Sequence, residues 1–347
     1  MNDAVIKKLR IIRIIQETAD AKTFVVEPLG DWKPVYRSGQ FLTLVFQNHL
    51  GEQRRSFSIS SSHVVGEPLA FTVKKLDNGE FSRHLIYKAK AGDVLDTSGI
   101  SGFFVLPEDT SGKQFCFLAA GSGITPCFSL IKTLLKTTEA NMILLYSNRS
   151  EADTIFHEAL LQLKEQYAGR LLIYFMFSNH PDVLQKRLSH WVLTHFVEQH
   201  LPAPVRKHTL FYICGPYDYM LMAGISLKSN GVSGKQIIKE DFYPLPRLLK
   251  PKPPDLEAHK VTIRIGHTRH ELVVQYPNTI TASGKKAGIT LPYSCESGQC
   301  GSCVATCTSG KIWMAYNEVL TDDEIAKGRV LTCQGYPVGG DAAIVFE

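Results

Sequence analysis

Apolar residues up to about position 107 fall in short runs at close spacing, over 23–27, 41–46, 56–60, 69–75 and 103–106, with turn residues between them. Runs of that length, rich in aromatic and β-branched residues, predict the strands of an antiparallel barrel. From residue 113 the rhythm changes. QFCFLAA is followed by PCFSLIKTLLKTT, NMILLYS, a helical stretch to residue 167 and RLLIYFMFS; later TLFYIC precedes a further helix that carries the pattern to about residue 242. Strand, helix and strand in succession predict a parallel sheet with crossover helices. Five prolines in YPLPRLLKPKPP, residues 243–254, remove backbone donors and favour extended geometry, so an interdomain linker is expected there. The expected division is a barrel over 1–107, an α/β unit over 108–242, a linker over 243–258 and a small separate unit over 259–347.

Length agrees with this division, because 347 residues exceed one ordinary core. No apolar run approaches the roughly 20 residues that cross a bilayer. The N-terminal stretch MNDAVIKKLRIIRIIQ is broken by charges and has no signal-peptide core, so a soluble cytoplasmic protein without a membrane partner is expected. The net charge of +5 is spread out, with no Lys/Arg run to track a phosphate backbone, which argues against nucleic acid as a partner. Eight cysteines in a reducing compartment call for a reading as metal or redox chemistry, or as small buried hydrophobes.

Four of them are informative. Cys295, Cys300, Cys303 and Cys333 form C-x4-C-x2-C with a fourth cysteine far downstream, the ligand spacing of a plant-type [2Fe-2S] cluster. Zinc sites more often present two close pairs. Gly298 and Gly301 suit a tight loop whose backbone N–H groups aim at sulfur. Cys116, Cys127 and Cys307 fit none of this spacing and read as buried hydrophobes. The stretches LPYSCESGQCGSC and RVLTCQGYPV resemble the [2Fe-2S] ferredoxin domains over about 259–347, which implies an α+β unit of β-grasp fold. Gly284 falls within an expected helix there and should weaken it by about 1 kcal/mol relative to Ala. Residues 259–347 hold eight Lys/Arg and eight Asp/Glu, a neutral balance that suits a carrier tethered beside its donor.

A glycine-rich turn, Gly121-Ser122-Gly123-Ile124-Thr125-Pro126, lies between QFCFLAA and its helix. Glycines there let a phosphate approach the backbone, the helix N-terminus attracts it, and Pro126 suits a first helical turn. Cys214-Gly215-Pro216 ends another strand of the same expected sheet, where open parallel sheets place ligands. The pair resembles the pyridine-nucleotide domain of the ferredoxin-NADP reductase superfamily. That resemblance implies pyrophosphate at the first loop and Cys214 near the nicotinamide. It also implies Ser147 and Arg149, in YSNRS, at a 2′-phosphate, which favours NADPH while leaving NADH open.

In the barrel, Arg55-Ser56-Phe57-Ser58 resembles the superfamily's R-x-Y-S flavin motif, and Gly79-Glu80-Phe81-Ser82 resembles its G-x-x-S turn. The resemblance implies Arg55 at the flavin pyrophosphate, residue 57 packed on the flavin, Ser58 near its N5, and backbone contacts from Val73 and Lys74 on the adenosine side. Phe57 departs from the usual tyrosine and removes one hydrogen bond, of order 1 kcal/mol. The retained pyrophosphate turn favours FAD over FMN. Ser58, Thr125 and Cys214 are the residues expected at the reacting centre, with the first two orienting nicotinamide against flavin.

His190, His195 and His200 recur every five residues and should scatter around a helix rather than bind metal. The order flavin unit, nucleotide unit, ferredoxin unit resembles the reductase components of multicomponent oxygenases. With YSNRS and FSRHL it implies an NAD(P)H-dependent oxidoreductase whose acceptor is a di-iron oxygenase of the phenylacetyl-CoA epoxidase type. Rieske hydroxylases, desaturases and hybrid-cluster proteins remain alternative acceptors. A redox-sensing or docking protein with little turnover is the alternative of another class.

Overall fold

A computed structural model describes residues 6–49, 51–182, 186–242 and 251–346. The N-terminal unit is a six-stranded antiparallel sheet of β1 (Lys7–Thr18), β2 (Ala21–Leu29), β3 (Phe41–Asn48), β4 (Gly51–Ser58), β5 (Ala70–Lys74) and β6 (Val94–Ser101), in the order β4-β3-β6-β1-β2-β5. Ile59 bridges Phe71, so the two edge strands meet and the sheet closes around Leu9, Ile11, Phe24, Leu42, Leu44 and Phe71. Helix α1 (Glu80–Tyr87) follows β5 and buries Phe81, Ser82, Leu85 and Ile86 against the barrel.

Three elements of this unit depart from the sequence pattern, the first being β6, which none of the apolar runs covers because its strand is mostly polar. Strand β1 is absent from that pattern because lysines and arginines interrupt the apolar residues; Leu9 and Ile11 alone reach full burial, and Ile12 and Ile15 are exposed. The run at 103–106 forms no strand. Its apolar residues serve packing between units instead: the Phe104 ring meets Tyr212 edge-on at 5.2 Å, and the Tyr212 hydroxyl donates to the Val105 carbonyl at 2.9 Å.

The second unit is a five-stranded parallel sheet, β11-β10-β7-β8-β9, built from β7 (Gln114–Ala120), β8 (Met142–Asn148), β9 (Leu171–Phe177), β10 (Thr209–Cys214) and β11 (Ile237–Glu240). Helices α2 (Ile124–Thr137), α3 (His157–Gln166), α4 (His190–His200), α5 (Ala203–Arg206) and α6 (Tyr217–Ser229) accompany it. The strands read as near-continuous apolar runs because two separate cores cover the sheet's two faces, one with Phe117, Leu144 and Tyr212, the other with Leu118, Leu145 and Phe211. On α4, His190 pairs with Ser226, His195 stacks on Trp191 and His200 packs on Phe196, so the three histidines do not converge.

Of the proline-rich linker, residues 243–250 lie outside the described residues, and 251–254 carry no regular element. The C-terminal unit joins β12 (His259–Ile265), β13 (Thr268–Val274), β14 (Val304–Ser309), β16 (Arg329–Leu331) and β18 (Ala342–Phe346) in the order β13-β12-β18-β14-β16. Strands β15 (Ile312–Met314) and β17 (Gly335–Pro337) form a separate hairpin-like pair, and helices α7 (Ile280–Lys286) and α8 (Asp322–Ala326) complete this α+β unit. Gly284 sits in α7, and its structural reason is steric, since a Cβ there would lie 2.7 Å from Leu291 Cδ1. Cys116 and Cys127 are fully buried as expected, whereas Cys307 is only half-buried, near the end of β14. Among the described residues no helix is long and apolar enough to cross a membrane.

Candidate cofactor cleft and cluster loop

β4 delivers Arg55, Ser56, Phe57 and Ser58 to a cleft of about 330 Å³, closed by the start of α1 and by Thr72, Lys74 and Leu76. Gly79, Phe81 and Ser82 line its other wall. Gly79 caps α1 without a side chain, and a Cβ there would stand 2.5 Å from Ser82 Oγ and 2.8 Å from Leu76 Cβ, so the turn is closed to larger residues. Ser82 Oγ donates to the Gly79 carbonyl and accepts from Leu76 N–H, and no side chain caps the first N–H groups of the helix, whose residues line the cleft. The Arg55 guanidinium lies 5.3 Å from the Phe81 ring. Ser58 Oγ is shut off from solvent with no hydrogen-bond partner, and it borders this cleft. A buried hydroxyl so placed lacks a polar group that a flavin ring edge supplies. Phe57 packs at 5.8 Å from Phe71 and keeps an aromatic face at the cleft. The Val73 side chain, by contrast, points into the barrel core, leaving only its backbone for any ligand.

Ser122 and Thr125 reach the same cleft from the nucleotide unit. Gly121–Gly123 forms a single 3₁₀ turn that runs directly into α2, with Gly121 at φ +54° and Pro126 in the first helical turn. Thr125 Oγ1 donates to the Ser122 carbonyl at 2.8 Å, fixing the turn. A Cβ at Gly123 would fall 2.1 Å from the Cys214 carbonyl oxygen, and one at Gly215 would fall 2.9 Å from Ala120 Cβ. The two loops are therefore packed backbone to backbone, which only glycine permits. Pro216 precedes α6 as its N-cap, and Ser147, paired across the sheet with Ala120, brings the end of β8 to the same edge. Arg149 is exposed just beyond it. Burial pushes the Cys214 thiol well above its ordinary range, with the Glu240 charge adding to it, so the sulfur is a neutral thiol and not a nucleophile.

Two residues at this edge have no counterpart among the sequence candidates. Glu240 ends β11 directly opposite Cys214 in the register; its Oε2 is hidden from solvent without a partner, and burial pushes the carboxyl up to about 8. Phe242 lines the barrel cleft. The available signal was a carboxylate at the carboxyl end of a parallel strand, IIKE, but four residues are too few for periodicity to mark as a strand.

The cluster loop hangs between α7 and β14. Gly298 and Gly301 take φ +79° and +75°, and at these positions a Cβ would meet Tyr316 O at 3.0 Å and the Phe103 ring at 2.3 Å. Cys295 N–H points at Cys300 Sγ (3.5 Å) and Ser297 N–H at Cys295 Sγ (3.4 Å). The Cys300 thiol's hydrogen bond, aided by Ser297, pulls Cys295 down to about 5. Thr332 ties the other two ligands together, since its N–H and hydroxyl both donate to the Cys303 carbonyl next to Cys333. Cys295 and Cys300 are thus one pair, and Cys303 and Cys333 a second, deeper pair. Among the described residues no three His, Cys, Asp or Glu side chains converge on a point for one ion. Two thiols for each of two irons fit this arrangement. A larger crevice of about 990 Å³ runs from Ser58 past Glu240 and Phe242 to Cys295 and Cys300, so all three units border one space.

Residues 117–224 match the oxidoreductase NAD-binding domain and residues 263–338 the 2Fe-2S iron-sulfur cluster binding domain. Over its whole length the chain is 33% identical to a component of the 1,2-phenylacetyl-CoA epoxidase of Escherichia coli (strain K12), covering 98% of this chain and 97% of that one. The chain belongs to the ferredoxin-reductase-type electron-transfer components of oxygenases. Within this family it is also 30% identical to the 3-ketosteroid-9-alpha-monooxygenase ferredoxin reductase component of Mycolicibacterium smegmatis, over 98% and 97% of the two chains. The fold is shared with phthalate dioxygenase reductase, described as a modular structure for electron transfer from pyridine nucleotides to [2Fe-2S] (24% identity, TM-score 0.59, 98% and 97% covered). An intact type IV self-sufficient cytochrome P450 monooxygenase has the same fold over 98% of this chain and 41% of its own (18% identity, TM-score 0.70). This reductase therefore combines an antiparallel barrel, an NAD-binding domain and a [2Fe-2S] domain, and its activity is that of an oxidoreductase.

Proposed function

We propose that this reductase takes hydride from NADPH at the edge formed by Thr125, Cys214 and Glu240, and passes electrons through FAD and a [2Fe-2S] cluster held by Cys295, Cys300, Cys303 and Cys333 to a di-iron oxygenase of the phenylacetyl-CoA epoxidase type. The single crevice that joins Ser58, Glu240 and the outer pair of cysteines carries this reading. A bound flavin supplies the conversion of a two-electron hydride into single electrons. Arg55 and the N-terminus of α1 hold its pyrophosphate, and that closed Gly79 turn is the reason for assigning FAD rather than FMN. Phe57 and Phe242 offer aromatic faces, and Ser58 offers its unpartnered hydroxyl to the ring edge. Gly121, Ser122 and Gly123 take the nucleotide pyrophosphate, Gly215 and Pro216 shape the nicotinamide end, and Ser147 and Arg149 meet the 2′-phosphate.

The functional units follow the divisions 1–107, 108–242 and 259–347, with the linker between the last two. We place this reductase in the cytoplasm, in keeping with four cysteines given to the cluster and none of the eight in a disulfide. Two relatives of similar identity, 33% and 30%, serve different oxygenases, so a steroid monooxygenase is the second candidate acceptor.

Anaerobic titration with NADPH and NADH in parallel, followed by visible absorption and EPR, tests the whole relay. Flavin bleaching, then a reduced-cluster signal, at lower NADPH than NADH is the expected result; zinc in place of iron and acid-labile sulfide would end it. Rapid reduction of cytochrome c separates an enzyme from a sensor with little turnover.

A further inference from the structure

Neighbouring residues of β4 point to opposite sides of the strand, and Arg54 does not follow Arg55 into the flavin cleft. Its side chain is only 1% exposed because the ferredoxin unit covers it. Nε donates to Glu52 Oε1 at 2.8 Å, while Nη1 donates to the carbonyls of Leu291 and Tyr293 at 3.1 and 3.2 Å. The guanidinium also lies 3.9 Å from the centre of the Tyr293 ring, and the Tyr293 hydroxyl donates to the same Glu52 oxygen at 3.2 Å. Tyr293 is two residues before the first cluster ligand, Cys295.

We propose that Arg54, Glu52 and Tyr293 form a latch that positions the cluster loop against the flavin-lining strand for internal electron transfer. Arg54 is a positioning residue: one strand holds the flavin through Arg55 and the cluster loop through Arg54. The inference rests on the reductase reading above. Fork geometry, a carboxylate, two carbonyls and an aromatic face together suit arginine and not lysine. The other ties are the Ser56–Ser294 and Ser101–Ser302 hydroxyl pairs, at 2.6 and 2.9 Å, and the Phe103 ring packed on the cluster loop, a small mixed contact of the kind that opens between domains. Glu52 shares β4 with Arg54, so when the ferredoxin unit leaves, the guanidinium keeps its counter-ion and meets water. Undocking strands no buried charge, and the latch is reversible.

The test is anaerobic stopped-flow reduction of the cofactor-loaded full-length protein by NADPH, reading flavin and cluster separately. Arg54→Ala and Tyr293→Leu are each expected to slow cluster reduction by about tenfold or more while flavin reduction keeps its rate. Transfer persists at a lower rate because the unit stays tethered. Arg54→Lys recovers only part of the loss, and the double variant is no slower than Arg54→Ala, as expected of partners in one contact. Cluster reduction at the unaltered rate in Arg54→Ala and Tyr293→Leu, with iron, sulfide and EPR signal intact, would overturn the latch. So would an equal slowing of flavin and cluster, which marks a general structural defect. If Arg54→Ala does not fold, Arg54→Lys and Tyr293→Leu decide by the same criteria. If NADPH fails to reduce the flavin of the unaltered protein, the reductase reading fails instead, and photoreduction of the flavin then tests the latch alone.

Discussion

Cys214 and Glu240 stand opposite each other on parallel strands β10 and β11, beside the Gly121–Gly123 turn that borders the barrel cleft. One is a neutral thiol and the other a carboxyl whose Oε2 has neither solvent nor a partner.

That carboxyl keeps its proton to about pH 8, against an ordinary value of 4.5, because burial disfavours the charged form. A raised folded-state value means that its contribution to stability is complete below the unfolded value and is lost as pH rises through the folded one. Stability should therefore decline between about pH 4.5 and 8, by an amount of order a few kcal/mol at most. Glu240→Gln removes the titration, so the difference in Tm between variant and unaltered protein should move in the variant's favour across that window. A constant difference would show that Glu240 ionises freely.

Gly123→Ala places a methyl group where the Cys214 carbonyl already stands, 2.1 Å away, and the nucleotide turn must move. A displacement near 1 Å at a positioning loop costs about a hundredfold in rate. The expected outcome is that loss in kcat/KM for NADPH, with flavin content and dithionite reduction of the cluster unchanged. Retained kcat/KM would mean that the loop is not where the nucleotide binds.

Cys300→Ala deletes one thiol of the outer pair while leaving the barrel and nucleotide sheet intact. The reduced-cluster EPR signal should disappear and flavin bleaching by NADPH should persist. Loss of both would mean that the flavin site depends on the cluster unit.

Helix propensity alone says that Gly284→Ala should stabilise α7 by about 1 kcal/mol. Packing says the opposite, since the new Cβ would stand 2.7 Å from Leu291 Cδ1 in a filled core, and overpacking costs about 1–3 kcal/mol. A net destabilisation of about 1 kcal/mol is expected, read as a lower Tm of the cluster-loaded protein. A higher Tm would show that Leu291 yields freely.

The chain's modular order and its [2Fe-2S] domain were legible in the sequence because they depend on local features. Cysteine spacing, glycines at positive φ and near-continuous apolar strands such as QFCFLAA are each set within a few residues. Long strands and helices declare their period, which is why β7 to β10 stand where the pattern puts them. Strand β1 did not, because only two of its residues reach full burial in the core cluster it joins, and charges occupy the solvent face.

Tertiary structure alone decided which side chains share a space. Residues 103–106 carry a strand's composition, yet they pack between units, where Phe103 meets the cluster loop and Phe104 meets Tyr212. Glu240 acquires its raised proton affinity only from the sheet that buries it beside Cys214. Arg54 reads as one of two adjacent arginines until a unit more than two hundred residues away supplies carbonyls and a ring. Ligand type and strand period are written along the chain; burial and long-range hydrogen bonds arise only when distant segments fold against one another.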